Sequence, residues 1–102
     1  MDYQYRLTER AILDARLIFG RIANYSPARG EKWYRGLIDR FDSLRIFPFR
    51  CPRAPESEQF GEDVRHLLYG KRQSAYRILF VVRDDVVVIL AIWHASRGPA
   101  EL

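Results

Sequence analysis

The 102 residues predict an α+β domain in the order β-α-α-β-β-β, a helical hairpin packed on one face of a mostly antiparallel four-stranded sheet. Three observations carry this reading. Apolar residues recur at helical spacing in two adjacent segments of the first half. The second half alternates and then becomes two apolar runs broken only by Asp84-Asp85. A short alternating segment precedes the helices.

That first segment is Asp2 to Leu7, where Tyr3, Tyr5 and Leu7 fall on one side of a strand. Thr8 then offers a capping hydroxyl with Glu9 in the first turn, and Ala11, Ile12, Ala15, Ile18, Phe19 and Ile22 share one face of a helix running to about Asn24. Ser26-Pro27 is a second helix start, with proline at a position whose missing N–H costs nothing. Trp33, Leu37, Phe41 and Leu44 make its apolar face, which can continue to about Phe47 before Pro48 stops it. The short turn between these segments makes them an antiparallel hairpin.

Residues 49–61 carry prolines and charges without a sustained period and read as an exposed loop. Alternation returns from Val64 to Tyr69, with Val64, His66 and Leu68 on one side, and Gly70-Lys71-Arg72-Gln73-Ser74 forms a turn. Two strands follow, ending at Arg83 and starting at Val86, with Asp84-Asp85 as the turn between them.

Length and composition indicate a single domain over residues 1–102, with 48% hydrophobic and 29% charged residues. No apolar run is long enough to cross a bilayer, and the N-terminus lacks a secretory pattern, so a cytoplasmic protein without membrane contact is expected. The single cysteine, Cys51, excludes an internal disulfide; with His66 and His94 it forms no zinc spacing, so neither metal nor cofactor is expected. Cys51 reads as a loop thiol beside Arg50, whose charge would lower its pKa. The net charge of +4 and pI near 9.6 favour polyanionic partners. Nearly all the positive charge is arginine, whose fork suits phosphate or carboxylate.

The stretch AYRILFVVRDDVVVILAIWH places Arg77 and His94 within the most apolar part of the chain. With Arg83 opposite Val86, an uninterrupted hairpin sets Arg77 opposite Ile92 and Ala75 opposite His94. Arg77 and His94 then share a face, roughly 5–8 Å apart at Cβ, in a hollow on the side away from the helices. The same register divides the apolar residues into two hydrophobic faces, of which the helical hairpin covers one. The other needs a tail, a loop or a second chain. Arg77 could equally pair with a carboxylate from the sheet or loop.

The segment VRHLLYGKRQSAYRILFVVRDDVVVILAIWHASR, following two helices, resembles the RelE/ParE superfamily of type II toxin–antitoxin toxins. The resemblance covers the chain in element order and is sharpest from Val64 to Arg97. It implies a bacterial toxin restrained by a cognate antitoxin that wraps over it and covers the open apolar face. RelE-like members cut messenger RNA on the ribosome, and ParE-like members inhibit DNA gyrase.

For RNA cleavage, the resemblance assigns Arg77 to the scissile phosphate, His94 to the general acid and Arg97 to a further phosphate contact. Lys71 and Arg72 would hold flanking phosphates and Tyr69 would stack on a base. The reaction would be attack of the RNA's own 2′-hydroxyl on the adjacent phosphate, without a metal. Glu56 and Glu58 lie where some relatives carry a catalytic glutamate, but read here as solvated loop acids. Because Arg77, His94 and Arg97 are all present, ribosome-dependent cleavage is the first reading. Gyrase inhibition, with Arg29, Lys32, Arg35 and Arg40 as docking charges, is the second. An inactive relative that only binds its antitoxin is the third.

Overall fold

The computed structural model describes residues 2–102. Strand β1 (Gln4–Leu7) leads into helices α1 (Glu9–Tyr25) and α2 (Pro27–Ser43). A one-turn helix α3 (Ser57–Phe60) precedes strands β2 (Arg65–Tyr69), β3 (Tyr76–Arg83) and β4 (Val86–His94). The sheet order is β1-β4-β3-β2; β1 runs parallel to β4 and the other pairs are antiparallel. This is the predicted α+β arrangement.

Local chemistry explains where the helices begin. The Thr8 hydroxyl accepts the Ala11 N–H at 3.1 Å, and the Ser26 hydroxyl accepts that of Arg29 at 3.3 Å ahead of Pro27. The two helices touch closely at Gly30, where an added Cβ would lie 2.8 Å from the Ala23 Cβ. Helix α2 ends at Ser43 rather than near Phe47, because the next residues pair with the start of the chain. The Tyr3 N–H donates to the Arg45 carbonyl at 2.7 Å, and Ile46 forms an antiparallel bridge with Asp2. Phe47, at φ 55°, then turns the backbone out of the helical path.

The segment expected to be an exposed loop is in good part buried. Pro48–Arg50 forms a 3₁₀ turn, and Pro48, Cys51, Ala54, Glu56 and Ser57 are all inaccessible. Ser57 holds the segment against β2, its hydroxyl 2.7 Å from the Ala54 carbonyl and accepting the Val64 N–H at 2.9 Å. Cys51 is therefore a core residue, and burial pushes its thiol up despite the lowering influence of Arg50 and Arg65.

The hairpin of β3 and β4 departs from the expected register. Arg83 to Phe80 pair with Val86 to Ile89 as predicted, but Leu79 pairs with Ala91, leaving Leu90 as a bulge. The cause lies next door. Strand β1 ends opposite Ile89, and α1 takes over the exposed edge of β4: Thr8 N–H donates to the Ile89 carbonyl at 3.0 Å and its hydroxyl to the Leu90 carbonyl at 3.1 Å. Nearly two turns on, the Asp14 carboxylate accepts the Ile92 N–H at 3.0 Å.

Two cores result. Ile78, Phe80, Val87, Ile89 and Ile92 pack under the helices with Ala11, Ile18, Leu37 and Phe41. Leu79, Val81, Val88, Leu90 and Ala91 form the second, closed by Ala54, Val64, Phe60 and Ala100. Of the three covers expected for the second apolar face, the chain supplies two, its 54–64 segment and its C-terminal tail, in place of a second chain.

Candidate functional site

The bulge decides which polar side chains can meet. From Leu79 towards the strand ends every pair is shifted by one, so Arg77 faces Trp93 and His94 faces Tyr76. Arg77 projects into the second core and His94 lies on the helical side. The expected common hollow does not form.

Arg77 is 8% exposed, and each of its three guanidinium nitrogens donates a hydrogen bond. Nη1 and Nη2 each donate to a Glu56 carboxylate oxygen at 2.7 Å, and Nε donates to His66 Nδ1 at 2.9 Å. Glu56 also accepts the Ala100 N–H at 2.8 Å, which ties the C-terminal tail to the cluster. The hydrogen bonds from Arg77, joined by that from Ala100, outweigh the cost of burial and hold the Glu56 carboxyl at about 2, well below its ordinary 4.5. Burial and the Arg77 charge push His66 down, which keeps its Nδ1 free to accept. Glu56 is therefore not a solvated loop acid; Glu58 is exposed.

His94 lines a hollow of about 230 Å³ between α1 and the end of β4. Arg21 and Asp14 from α1, Tyr76 from β3, and Arg97 from the 3₁₀ turn 95–97 share its walls. The Ser96 N–H donates to His94 Nδ1 at 3.2 Å, so the neutral ring carries its proton on Nε2. The Tyr76 and His94 rings meet edge to face with centroids 5.0 Å apart. The Arg97 guanidinium lies over Trp93 at 5.0 Å, and Trp93 is fixed in turn by a 2.8 Å bond from Nε1 to the Gly98 carbonyl.

Lys71 and Arg72 lie exposed beside His94 in an open depression. Tyr69 is turned away from them, under α2. Its hydroxyl donates to the Trp33 carbonyl at 2.7 Å, burial pushes its pKa up, and the Arg40 guanidinium lies 5.8 Å from its ring. Of the residues singled out in the sequence, His94, Arg97, Lys71 and Arg72 come together, whereas Arg77 and Tyr69 stand apart from them. Sequence reading overlooked Arg21 and Tyr76. Arg21 had a signal available, since Asp14, Leu17, Ile18 and Arg21 share one helical stripe.

Among the described residues no cluster of three or more His, Cys, Asp or Glu side chains could hold a metal ion, and no helix is long and apolar enough to cross a membrane.

Comparisons with known proteins agree with this architecture. No curated protein matches the chain. A solved structure described as the chromosomal ParDE TA system from P. aeruginosa superposes with a TM-score of 0.69, over 90% of this chain and 95% of that one, at 20% identity. The model of the family described as ParE toxin of type II toxin-antitoxin system, parDE, matches residues 5–99, from β1 to beyond the 95–97 turn. The chain belongs to the ParE toxin family of type II toxin–antitoxin systems.

Proposed function

We propose that this toxin poisons its cell by binding DNA gyrase and does so without cutting RNA. One observation carries the choice: Arg77 and His94, the two groups an RNA-cleaving site would need side by side, lie on opposite faces of the sheet. Glu56 and His66 engage all three Arg77 nitrogens, and its charge is paired with the Glu56 carboxylate in a buried cluster rather than offered to a phosphate. Inhibition by docking makes no such demand on their arrangement.

The same reading includes a cognate antitoxin held on the helical side. An apolar groove of about 300 Å³ runs between β1, α1 and α2, lined among others by Leu7, Ile12, Phe19, Tyr34 and Ile38. It adjoins a free strand edge. The Gln4 and Thr8 N–H groups bond towards β4, which by alternation turns the Tyr5 and Leu7 backbone groups outward. An extended antitoxin segment could pair there and seat apolar side chains in the groove.

The test compares two activities of the purified toxin. It should abolish supercoiling of relaxed plasmid by gyrase, be relieved by its antitoxin, and leave messages on translating ribosomes intact. Cleavage of translated messages with normal supercoiling would reverse the assignment.

A further inference from the structure

Resting on the reading of the toxin as an inhibitor that docks on gyrase, we propose that residues 45–50, the turn after α2, are the surface that docks, and that they take a protein cleft with an apolar floor and carboxylates at its rim. Ile46, Phe47 and Phe49 are 65%, 72% and 49% exposed, three large apolar side chains within four residues. Apolar groups gathered so closely on a surface mark an interaction site, whereas single ones are ordinary.

Phe47 carries two costs at once. Its backbone lies at φ 55°, where a bulky residue is disfavoured and glycine is at ease. Its ring lies outside both cores, so no packing repays the strain. The fold gains nothing from phenylalanine at this position, and a strained residue that the fold does not need points to function.

The turn is also held rigid. Pro48, between the two phenylalanines, is buried. The Arg50 guanidinium donates to the carbonyls of Ser43, Ile46 and Phe47 at 3.2, 2.8 and 3.2 Å, and to the Ser43 hydroxyl at 3.1 Å. The Tyr3 ring meets Phe49 edge to face with centroids 6.2 Å apart, and the Arg65 guanidinium lies 5.2 Å from the centre of the Phe49 ring. Side chains fixed in this way lose little freedom on binding. A clamped backbone also gives the rings a direction, which a shaped cleft uses and a fluid bilayer surface does not need.

Charge identifies the partner. Residues 43–55 include Arg45, Arg50 and Arg53 and no acid. Of the acids nearby, Asp63 is bonded by Arg53 and Arg65 at 3.0 Å each, and the Asp42 carboxylate faces the Tyr5 hydroxyl. Asp2, bridged to Ile46, is the remaining one. Arg50 spends its N–H groups on neutral acceptors and Arg45 meets only the Tyr3 carbonyl, at 3.4 Å, so the surroundings of the turn stay positive. A second copy related by a two-fold axis would set these like charges against each other. Carboxylates at the rim of a cleft answer them.

Gyrase supercoiling, antitoxin affinity and thermal melting of the purified parent and variants test the surface. Phe47→Gly should melt no lower than the parent, bind the antitoxin within about twofold, and inhibit gyrase at least about thirtyfold less well. Arg45→Glu should weaken inhibition about tenfold, and Arg45→Lys less than about threefold. Undiminished inhibition by Phe47→Gly would overturn the proposal. A lower melting temperature would do so by showing that the ring serves the fold, and so would a parallel loss of antitoxin binding. Self-association in sedimentation, or flotation with phosphatidylglycerol vesicles, would also overturn it if Phe47→Gly abolished either one. Growth arrest separates the two readings: a parent that arrests cells while gyrase stays active would remove gyrase as the target, and arrest by Phe47→Gly equal to the parent's would remove the turn.

Discussion

Glu56 and Arg77 meet through two hydrogen bonds of 2.7 Å, one side chain on the approach to α3 and the other near the start of β3, both almost wholly out of solvent. Among the described residues each is the other's only ion-pair partner, and Glu56 also anchors the tail at Ala100. Removing one partner strands a buried charge, which costs about 3–5 kcal/mol, whereas replacing both can be close to neutral. Urea unfolding should show Arg77→Met and Glu56→Ala each losing about that much. Glu56→Gln combined with Arg77→Met, which keeps an acceptor for the Ala100 N–H, should recover most of it.

The same cluster sets an acid limit on stability. The native-state pKa of His66 is depressed, so the unfolded chain binds its proton first and stability declines as pH falls below the ordinary value of 6.5. Glu56 behaves likewise at lower pH. Its contribution, on the order of 3 kcal/mol, is complete above 4.5 and is lost as pH falls towards about 2. Unfolding midpoints measured from pH 8 to pH 3 should fall in two stages, and His66→Phe should remove the upper one.

Two helical glycines should respond oppositely to alanine. Gly20 on α1 has nothing within 4 Å of an added Cβ, so Gly20→Ala should stabilise by about 0.5–1 kcal/mol through helix propensity alone. At Gly36 the Cβ would fall 2.0 Å from the Tyr69 hydroxyl, which must then leave the Trp33 carbonyl. We expect Gly36→Ala to destabilise by about 1–3 kcal/mol, the reverse of its propensity. Paired thermal melts would check both signs.

How far these features could be foreseen depended on the kind of signal. The caps at Thr8 and Ser26, the turn at Asp84-Asp85 and the alternation through His66 were legible because each is a local pattern. The bulge at Leu90 was not. Every residue from Val86 to Trp93 is apolar, so period-two alternation has no polar residue to mark a change of face. Its cause is the arrival of Thr8 and Asp14 from more than seventy residues away. Glu56 was misread for a related reason: its proline-flanked segment looks solvated until the second sheet face, which it covers, is taken into account.

Thr8 should be a sensitive position, since one side chain both caps α1 and bonds the bulge. Thr8→Val keeps the shape and removes both bonds, and we expect a loss of about 1–2 kcal/mol. Hydrogen exchange should show faster opening in the first turn of α1 and around residues 90–92.

The separation of Arg77 from His94 is tested most directly by growth arrest in cells expressing the Glu56→Gln, Arg77→Met double variant, with folding verified by capture on the antitoxin. If Arg77 serves the fold alone, the double variant arrests growth as the parent does and stops gyrase equally well. A folded, antitoxin-binding double variant that no longer arrests growth would contradict the account and return Arg77 to the toxic site.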